Sequence, residues 1–378
     1  MHLTRLLVAL LCCSAPLVAQ DGAVGGDQGL EIDFLVSYYD QDGEHSAVTG
    51  GTGTEKQEVL SPVVLVSWAV NEDWSLKADL GIDQISSASV DRMDAELSSA
   101  SELDARAFTD VTATRRLDDR SAVSFTLGLS TEYDYRSVSA GLGYSRDFNE
   151  KNTTLAGSLR HYEDVVELYD IDGIKRGDDS RSTTNANVSL TQVLGQKTVG
   201  FVEFDATIQS GFLSTPFHEV GFPNGVVVAE RLPDSRRRLA LGLGLNHSFG
   251  RNVVQRLHYR LYDDDWGIRA HSISAETHFR LPTAGESWLY PFVRFHTQTA
   301  SDYFGPTGSF TGREEFYTSD WDLAEVDTDR YGLGLRLAAP AGKKWLLGIR
   351  RTDLRVSFFT RDDGLEGFTG SFGFGWSL

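Results

Sequence analysis

Cysteine is almost missing from this chain. The two in 378 residues, Cys12 and Cys13, stand side by side in the short apolar stretch at the N-terminus. Beyond that stretch there can be no disulfide, no thiolate metal site and no cysteine nucleophile, and a thiol-free chain suits passage through an oxidising compartment. Long hydrophobic runs are missing too. Past the N-terminus nothing approaches the roughly 18 apolar residues that a membrane-crossing helix needs. This excludes crossing by helices but not by strands, because in a β-barrel only every second residue faces lipid. Positive charge is in short supply as well: 35 Lys and Arg stand against 54 Asp and Glu, a net charge of −19. That balance argues against nucleic acid as a partner. It favours attraction of cations or repulsion of anionic surface polymers.

Residues 1–20 read as a secretory signal: His2 and Arg5 open it, Leu6 to Cys13 supply the apolar segment, and Ser14, Ala15 and Pro16 lead to a small-residue site at Ala19 or Gln20. A lipoprotein signal fits poorly, because Leu11 precedes Cys12 and Cys12 precedes Cys13 where a small residue is needed. The expected organisation is a signal over 1–20, a short periplasmic segment over 21–29, and one domain over 30–378.

The C-terminus is the most informative segment. Phe368, Gly370, Phe372, Phe374, Trp376 and Leu378 alternate with Thr369, Ser371, Gly373, Gly375 and Ser377. One face is apolar and aromatic-rich and the other small and polar, which suits a wall with lipid outside and water inside. Phe372, Phe374, Trp376 and Leu378 therefore read as the barrel-closing signal recognised by the assembly machinery of the bacterial outer membrane.

The same alternation recurs through the chain. Trp74, Leu76, Ala78, Leu80 and Ile82 interleave with Ser75, Lys77, Asp79, Gly81 and Asp83, a clean period of two. Tight turns are expected near residues 71–73, 118–120, 149–152, 195–197, 250–252, 282–286 and 339–344. Longer polar segments alternate with them at 40–56, 86–105, 163–181, 210–235 and 300–327, with brief connections near Asp134 and Asp263–Asp265. The pattern predicts an all-β, transmembrane antiparallel barrel of about 16 strands, with short periplasmic turns and long extracellular loops. Residues 91–107 could hold a short helix within an outer loop, and the apolar phase slips near Arg350 and Arg351, as a β-bulge would make it. Trp68, Trp74, Phe148, Phe249, Trp288, Trp345 and Trp376 near the short turns, with Tyr38, Tyr133, Tyr135, Phe212 and Trp266 at the opposite ends, suggest two aromatic belts. A soluble sandwich or propeller would show shorter strands, no systematic long–short alternation of loops, or a blade-length repeat.

Several longer motifs point to a known family. "LHYRLYDDDWGIRAHSISAETHFRL" and "YPFVRFHTQTASDYF", preceded by "VSYYDQDG", "DLGIDQISSASVD", "LTQVLGQKTV" and "GFLSTPFHEVGFPNGVVVAERLPDSRRRLAL", resemble a bacterial outer-membrane family known as domain of unknown function 3570. The resemblance runs from about Glu31 to the C-terminus. It implies a β-barrel and an outer-membrane address, and it carries no assigned reaction or binding site.

The search for chemistry yields little. There is no Gly-x-Ser-x-Gly elbow and no His-Glu-x-x-His helix. His161 and His271 stand near strand ends, where a rim-located hydrolase would need a serine or acid partner. Asp263, Asp264 and Asp265 could offer oxygen ligands to a cation or could simply make a hairpin turn. His258, His278 and His296 share the inward phase of three strands but fall at different heights, against a common metal. Assigning the apolar phase to lipid sends Asp33, Lys77, Asp79, Asp83, Arg160, Glu203, Asp205, Arg256, Arg260, Glu276, Arg280, Arg294 and Arg336 inward. Opposed charges there either line a constricted channel or brace a closed wall. The loop over 211–238 combines Phe212, Pro216, Phe217, Phe222, Pro223, Glu230, Arg231, Pro233, Asp234 and Arg236. It reads as a loop folded into the mouth.

The expected lumen or constriction residues are thus Asp79, Asp83, Arg160, Glu203, Asp205, Glu230, Arg231, Arg236, Arg256, Arg260, Glu276 and Arg294. The expected function is a pore or facilitated channel for a small solute in the outer membrane of a Gram-negative bacterium. Its partners would be outer-membrane lipid and the barrel-assembly machinery, and no cofactor is implied. Two alternatives remain open: a barrel that assists assembly or export of other proteins with little conductance, and an outer-membrane enzyme.

Overall fold

The computed structural model describes residues 29–87, 104–169 and 175–377. The expected signal over 1–20, most of the expected segment over 21–29, Leu378 and the part of the 91–107 segment before Asp104 lie outside the described residues; from Asp104 onwards that segment is strand.

Among the described residues there are eighteen strands: β1 (Leu30–Asp42), β2 (Gln57–Ala69), β3 (Trp74–Ser87), β4 (Asp104–Arg116), β5 (Ser121–Thr131), β6 (Tyr135–Phe148), β7 (Thr153–Tyr169), β8 (Lys175–Gly195), β9 (Thr198–Gly211), β10 (Glu219–Gly221), β11 (Val227–Ala229), β12 (Ser235–Ser248), β13 (Val253–Asp264), β14 (Arg269–Arg280), β15 (Trp288–Gln298), β16 (Val326–Ala338), β17 (Ile349–Arg361) and β18 (Glu366–Ser377). β10 and β11 pair only with each other, and the other sixteen close into one antiparallel barrel in which β1 pairs with β18. Closure satisfies every strand edge, the condition for a sheet surrounded by apolar solvent. The closing seam runs from Glu31 opposite Ser377 to Asp42 opposite Glu366, so both ends of the barrel chain lie at the short-turn end.

The outward face is apolar. On β12, Leu239, Leu241, Leu243 and Leu245 are all exposed, and so are Phe125, Leu127 and Leu129 on β5 and Leu76, Leu80 and Ile82 on β3. Such a continuous apolar surface far exceeds the patches that water-soluble monomers leave bare. Two prolines fall inside strands. Pro62 and Pro291 lack the N–H that a ladder requires, and the β2–β3 and β14–β15 registers skip the positions beside them.

Several expectations need correction. The polar stretch 163–181 is mostly strand, because its charges pair across the ribbon: Arg181 lies 2.9 Å from Asp164 and Lys175 lies 3.1 Å from Glu167. β8 consequently reaches 21 residues. Trp288 does not join an outer aromatic belt, since it lines the lumen. Trp266 is buried beneath the loops with Leu213 and Leu232, and Tyr135 turns inward to accept a hydrogen bond from Arg181. Trp68, Trp74, Phe148, Phe249 and Trp345 do stand exposed near the short turns. The expected irregularity near Arg350 is a register shift between Ile349 and Arg351, and a third brief connection, at residues 362–365, joins β17 to β18.

Candidate functional site: the barrel lumen and its loop cap

The two faces of each strand alternate, so the registers fix which residues share the lumen. Asp79, Asp83, Arg160, Glu203, Asp205, Arg256, Arg260, Glu276 and Arg294 all project inward, as do Asp33, Lys77, Arg280 and Arg336. Two groups form. Along β3–β7 the charges are matched pairwise. Lys77 lies 3.5 Å from Asp79, Asp83 is 3.6 Å from Arg106 and accepts a hydrogen bond from Ser61, and Arg160 pairs with Asp110 and Ser139. This wall is braced.

The facing wall differs. A cavity of about 820 Å³ is lined there by strands β12–β18, β1 and β2, with contributions from β8 and β9. Among the described residues seven arginines line it (Arg256, Arg260, Arg294, Arg330, Arg336, Arg351 and Arg355), against one carboxylate, Glu276. Other carboxylates stand at its margin: Asp205 is 3.6 Å from Arg260, Asp33 is 2.9 Å from Arg351, and Asp353 is 2.6 Å from Arg336. Glu276 is shared by Arg355 at 3.3 Å, Arg256 at 3.8 Å and His278. The inner wall is thus locally basic in a chain of net charge −19.

Aromatic rings lie flat on this wall because the neighbouring strand leaves room. A Cβ at Gly332 would sit 2.1 Å from the Phe292 ring, and one at Gly334 would sit 2.1 Å from the Tyr290 ring. Gly334→Val should therefore push Tyr290 into the lumen. It should cost about 1–3 kcal/mol of stability as an overpacked contact, measurable by urea titration of the protein folded into lipid vesicles.

Above the cavity the loops interlock. Counting along the ring from β1 to β9 takes eight of sixteen steps, so the 43–56 and 212–234 loops leave the barrel on opposite sides. They nevertheless meet: Glu219 N–H donates to the Val48 carbonyl at 2.7 Å. The 299–325 loop joins both. His45 stacks on Trp321 with ring centres 3.6 Å apart, Trp321 Nε1 donates to the Gly50 carbonyl at 2.8 Å, and Arg231 and Tyr317 exchange backbone hydrogen bonds. Gly50 has φ +63°, and a Cβ there would lie 2.0 Å from the Ser319 carbonyl oxygen, so this crossing requires glycine. The mouth is bridged by these loops.

Glu230, Arg231 and Arg236 belong to this cap rather than to the cavity lining. Buried Glu230 accepts from the Thr215 N–H and the Thr318 hydroxyl. Asp264 is the hub on the other side. It accepts from Arg236 Nε at 2.9 Å, the Tyr262 hydroxyl at 2.7 Å, and the backbone N–H groups of Trp266 and Ile268, each at 3.0 Å. Arg236 in turn covers the Trp266 ring at 4.2 Å. The aspartate triplet therefore makes a turn whose middle member is saturated by protein donors. Among the described residues no group of three or more acids, histidines or cysteines could hold a metal ion. His258 lies opposite Ser274 and His278 opposite Val254, which separates the lumenal histidines as the turns implied. His161 and His271 face outward: His161 contacts Thr184 and Glu163, each at 2.8 Å, and His271 contacts the Tyr259 hydroxyl at 2.7 Å.

The cap holds acids in unusual states. Burial raises Glu55 from 4.5 to about 8, with Arg361 opposing the rise and Asp322, Asp363 and Asp320 adding to it. Burial, then Asp322, raises Asp320 from 3.8 to about 6, with His218 opposing and Glu230 assisting. Folding of the cap therefore takes up protons. That stability is complete below about pH 4 and is lost as pH rises through the two raised values toward 8. Hydrogen-exchange protection factors in residues 43–56 and 299–325, corrected for the intrinsic pH dependence of exchange, should be lower at pH 8.5 than at pH 5, and Glu55→Gln should shrink the difference.

Arg330, Arg351, Arg355 and Asp110 were not anticipated. For Arg351 and Arg355 the bulge at the start of β17 hides the inward phase. Counting back by twos from Arg361 through Phe359 and Ser357 would have revealed them.

The sequence matches the family model described as "Protein of unknown function (DUF3570)" over residues 93–173 and 168–352. The chain belongs to this family. No functionally curated protein matches it. Among solved structures it is similar to a bacterial polysaccharide outer membrane secretin, with TM-score 0.50 and 10% identity over 94% of this chain and 100% of the other. It is also similar to CdiB from Acinetobacter baumannii, with TM-score 0.50 and 12% identity over 92% of this chain and 60% of the other. OmpT of Vibrio cholerae, lacking loop L8, aligns with TM-score 0.46 and 8% identity over 93% and 100%. Several matched receptors are larger, and this chain spans 53–55% of them. At these identities the likeness is one of fold.

Proposed function

We propose that this protein spans the bacterial outer membrane, with its short turns in the periplasm and its long loops outside, and conducts small solutes through a lumen narrowed by the loop cap. One observation carries the reading: a cavity of about 820 Å³ with a charged lining lies inside a wall whose outer face is apolar. Filled with water, such a lining stays solvated, and the charges it presents to the lumen set what passes. The pathway uses no catalytic step and no cofactor.

The bridged mouth favours a second reading, a barrel of little conductance that assists assembly or export of other proteins. Planar-bilayer recording of the purified protein separates the two. A pore gives stepwise currents that grow when residues 43–56 are shortened to open the bridge. A silent bilayer in both forms, with a protein that co-purifies, would favour the second.

A further inference from the structure

The turn between β16 and β17, residues 339–348, is the longest connection at its end of the barrel. Leu346 and Leu347, 85% and 81% exposed, are the barest large apolar side chains among the described residues, and Trp345 beside them is exposed too. Leu347 also holds φ 62° and ψ 16°, a left-handed conformation that bulky residues rarely adopt. In water this is a costly arrangement: two bare leucines, one of them on backbone that glycine occupies more readily. The neighbouring residues show what the turn faces. Phe372, Phe374 and Trp376 form a row of rings along the lipid-facing side of β18, with successive centres 4.5 and 5.9 Å apart. At the end of that row Trp376 Nε1 donates to the Leu347 carbonyl at 3.2 Å. A Cβ at Gly348 would lie 3.9 Å from Trp376 and 4.0 Å from Lys344. The turn therefore continues the apolar outer face of the barrel. Its charge has one sign: residues 339–350 hold Lys343, Lys344 and Arg350 and no acid, in a chain of net charge −19. All three cations are exposed.

We propose that this turn is a lipid-binding foot: Trp345, Leu346 and Leu347 insert among acyl chains at the periplasmic edge of the membrane, and Lys343 and Lys344 hold the phosphate of an anionic phospholipid. Apolar side chains that enter the boundary between headgroups and acyl chains leave water there, which removes the exposure of both leucines. Lysine stems can lie along the apolar layer while their ammonium groups stay at headgroup level. Each such charge near an anionic surface adds an attraction that neutral lipid does not supply. The inference rests on the membrane placement proposed above, and not on whether the lumen conducts.

The test uses the full chain, folded into vesicles of phosphatidylcholine containing phosphatidylglycerol. In a Cys12→Ser, Cys13→Ser background, single nitroxide labels are placed at Leu346→Cys, at Asp119→Cys on the turn between β4 and β5, and at Leu241→Cys on the lipid face of β12. Power saturation compares their access to oxygen, which concentrates in lipid, and to a nickel chelate, which stays in water. The labels at 346 and 241 should favour oxygen and the label at 119 nickel. In the unaltered protein, a phosphatidylglycerol probe with a photoreactive headgroup should cross-link to residues 339–350 in preference to the matching phosphatidylcholine probe. Lys343→Gln with Lys344→Gln should lower that preference roughly fivefold or more, the scale of one lysine at an anionic surface, and Lys343→Arg with Lys344→Arg should retain it. A label at 346 that favours nickel while that at 241 favours oxygen overturns the foot, leaves the membrane placement standing, and makes the turn a docking point for a periplasmic protein instead. If the label at 241 also favours nickel, the membrane placement itself fails. Equal cross-linking of the two lipids overturns the role of the lysines. Heat-modifiable gel mobility confirms that each variant is folded, and the cross-linking arm on the unaltered protein decides the site where a labelled variant does not fold.

Discussion

Asp264→Ala should remove about 3–5 kcal/mol from the stability of the loop end, the usual cost of leaving one partner of a buried ion pair unmatched. The side chains of Arg236 and Asp264 are 9% and 0% exposed, so the lost carboxylate strands a guanidinium out of reach of water. The same change frees the Trp266 and Ile268 N–H groups and the Tyr262 hydroxyl, each of which then needs a new acceptor. Trp266 anchors a small apolar cluster with Leu213, Leu232, Tyr303 and Leu323, so damage should spread to the 212–234 and 299–325 loops while the barrel persists. The expected result is a lower midpoint for the loss of Trp fluorescence polarity shift in denaturant, with faster proteolysis of those loops and unchanged heat-modifiable mobility. Asp264→Asn should lie between, since it keeps an acceptor but not the charge. An unchanged proteolysis pattern in Asp264→Ala would remove Asp264 from the centre of the cap.

Leu241→Arg should destabilise the whole barrel by about 2–4 kcal/mol, as cationic residues do on the lipid face near the bilayer midplane. Leu241 stands exposed in the middle of β12, and its cross-strand partners are Phe204 and Leu261, so no polar neighbour can share the charge. Ser189→Arg is the contrast. Ser189 lies on the inner face opposite Glu203, where water and a carboxylate receive a cation at little cost. Folding of both variants into lipid vesicles, followed by urea titration, checks the pair. Equal tolerance of the two substitutions would mean that hydrocarbon does not surround this wall.

Most of the architecture was legible from one period. A strand flips its side chains every residue, so Leu76 to Ile82 or Phe368 to Trp376 disclose at once the strand, its two faces and its surroundings. Inward charges such as Asp79, Arg256 and Glu276 followed by counting. The same rule failed where counting was interrupted. The bulge near Arg350 concealed Arg351 and Arg355, and the polar run 163–181 looked like a loop because its charges are satisfied across the ribbon. Glu230 and Arg236 were expected in a loop folded into the mouth, but their partners Thr318 and Asp264 lie 88 and 28 residues away, and no local pattern encodes those distances.

What the chain determined by itself was the barrel: alternating greasiness, turn rhythm and an even strand count are local properties, and closing a sheet merely repeats one pairing rule around a ring. The cap and the basic wall were decided in three dimensions. Loops that leave opposite sides of the ring find each other only once the ring has closed, and Arg294 becomes the neighbour of Arg330 only through the register of β15 on β16.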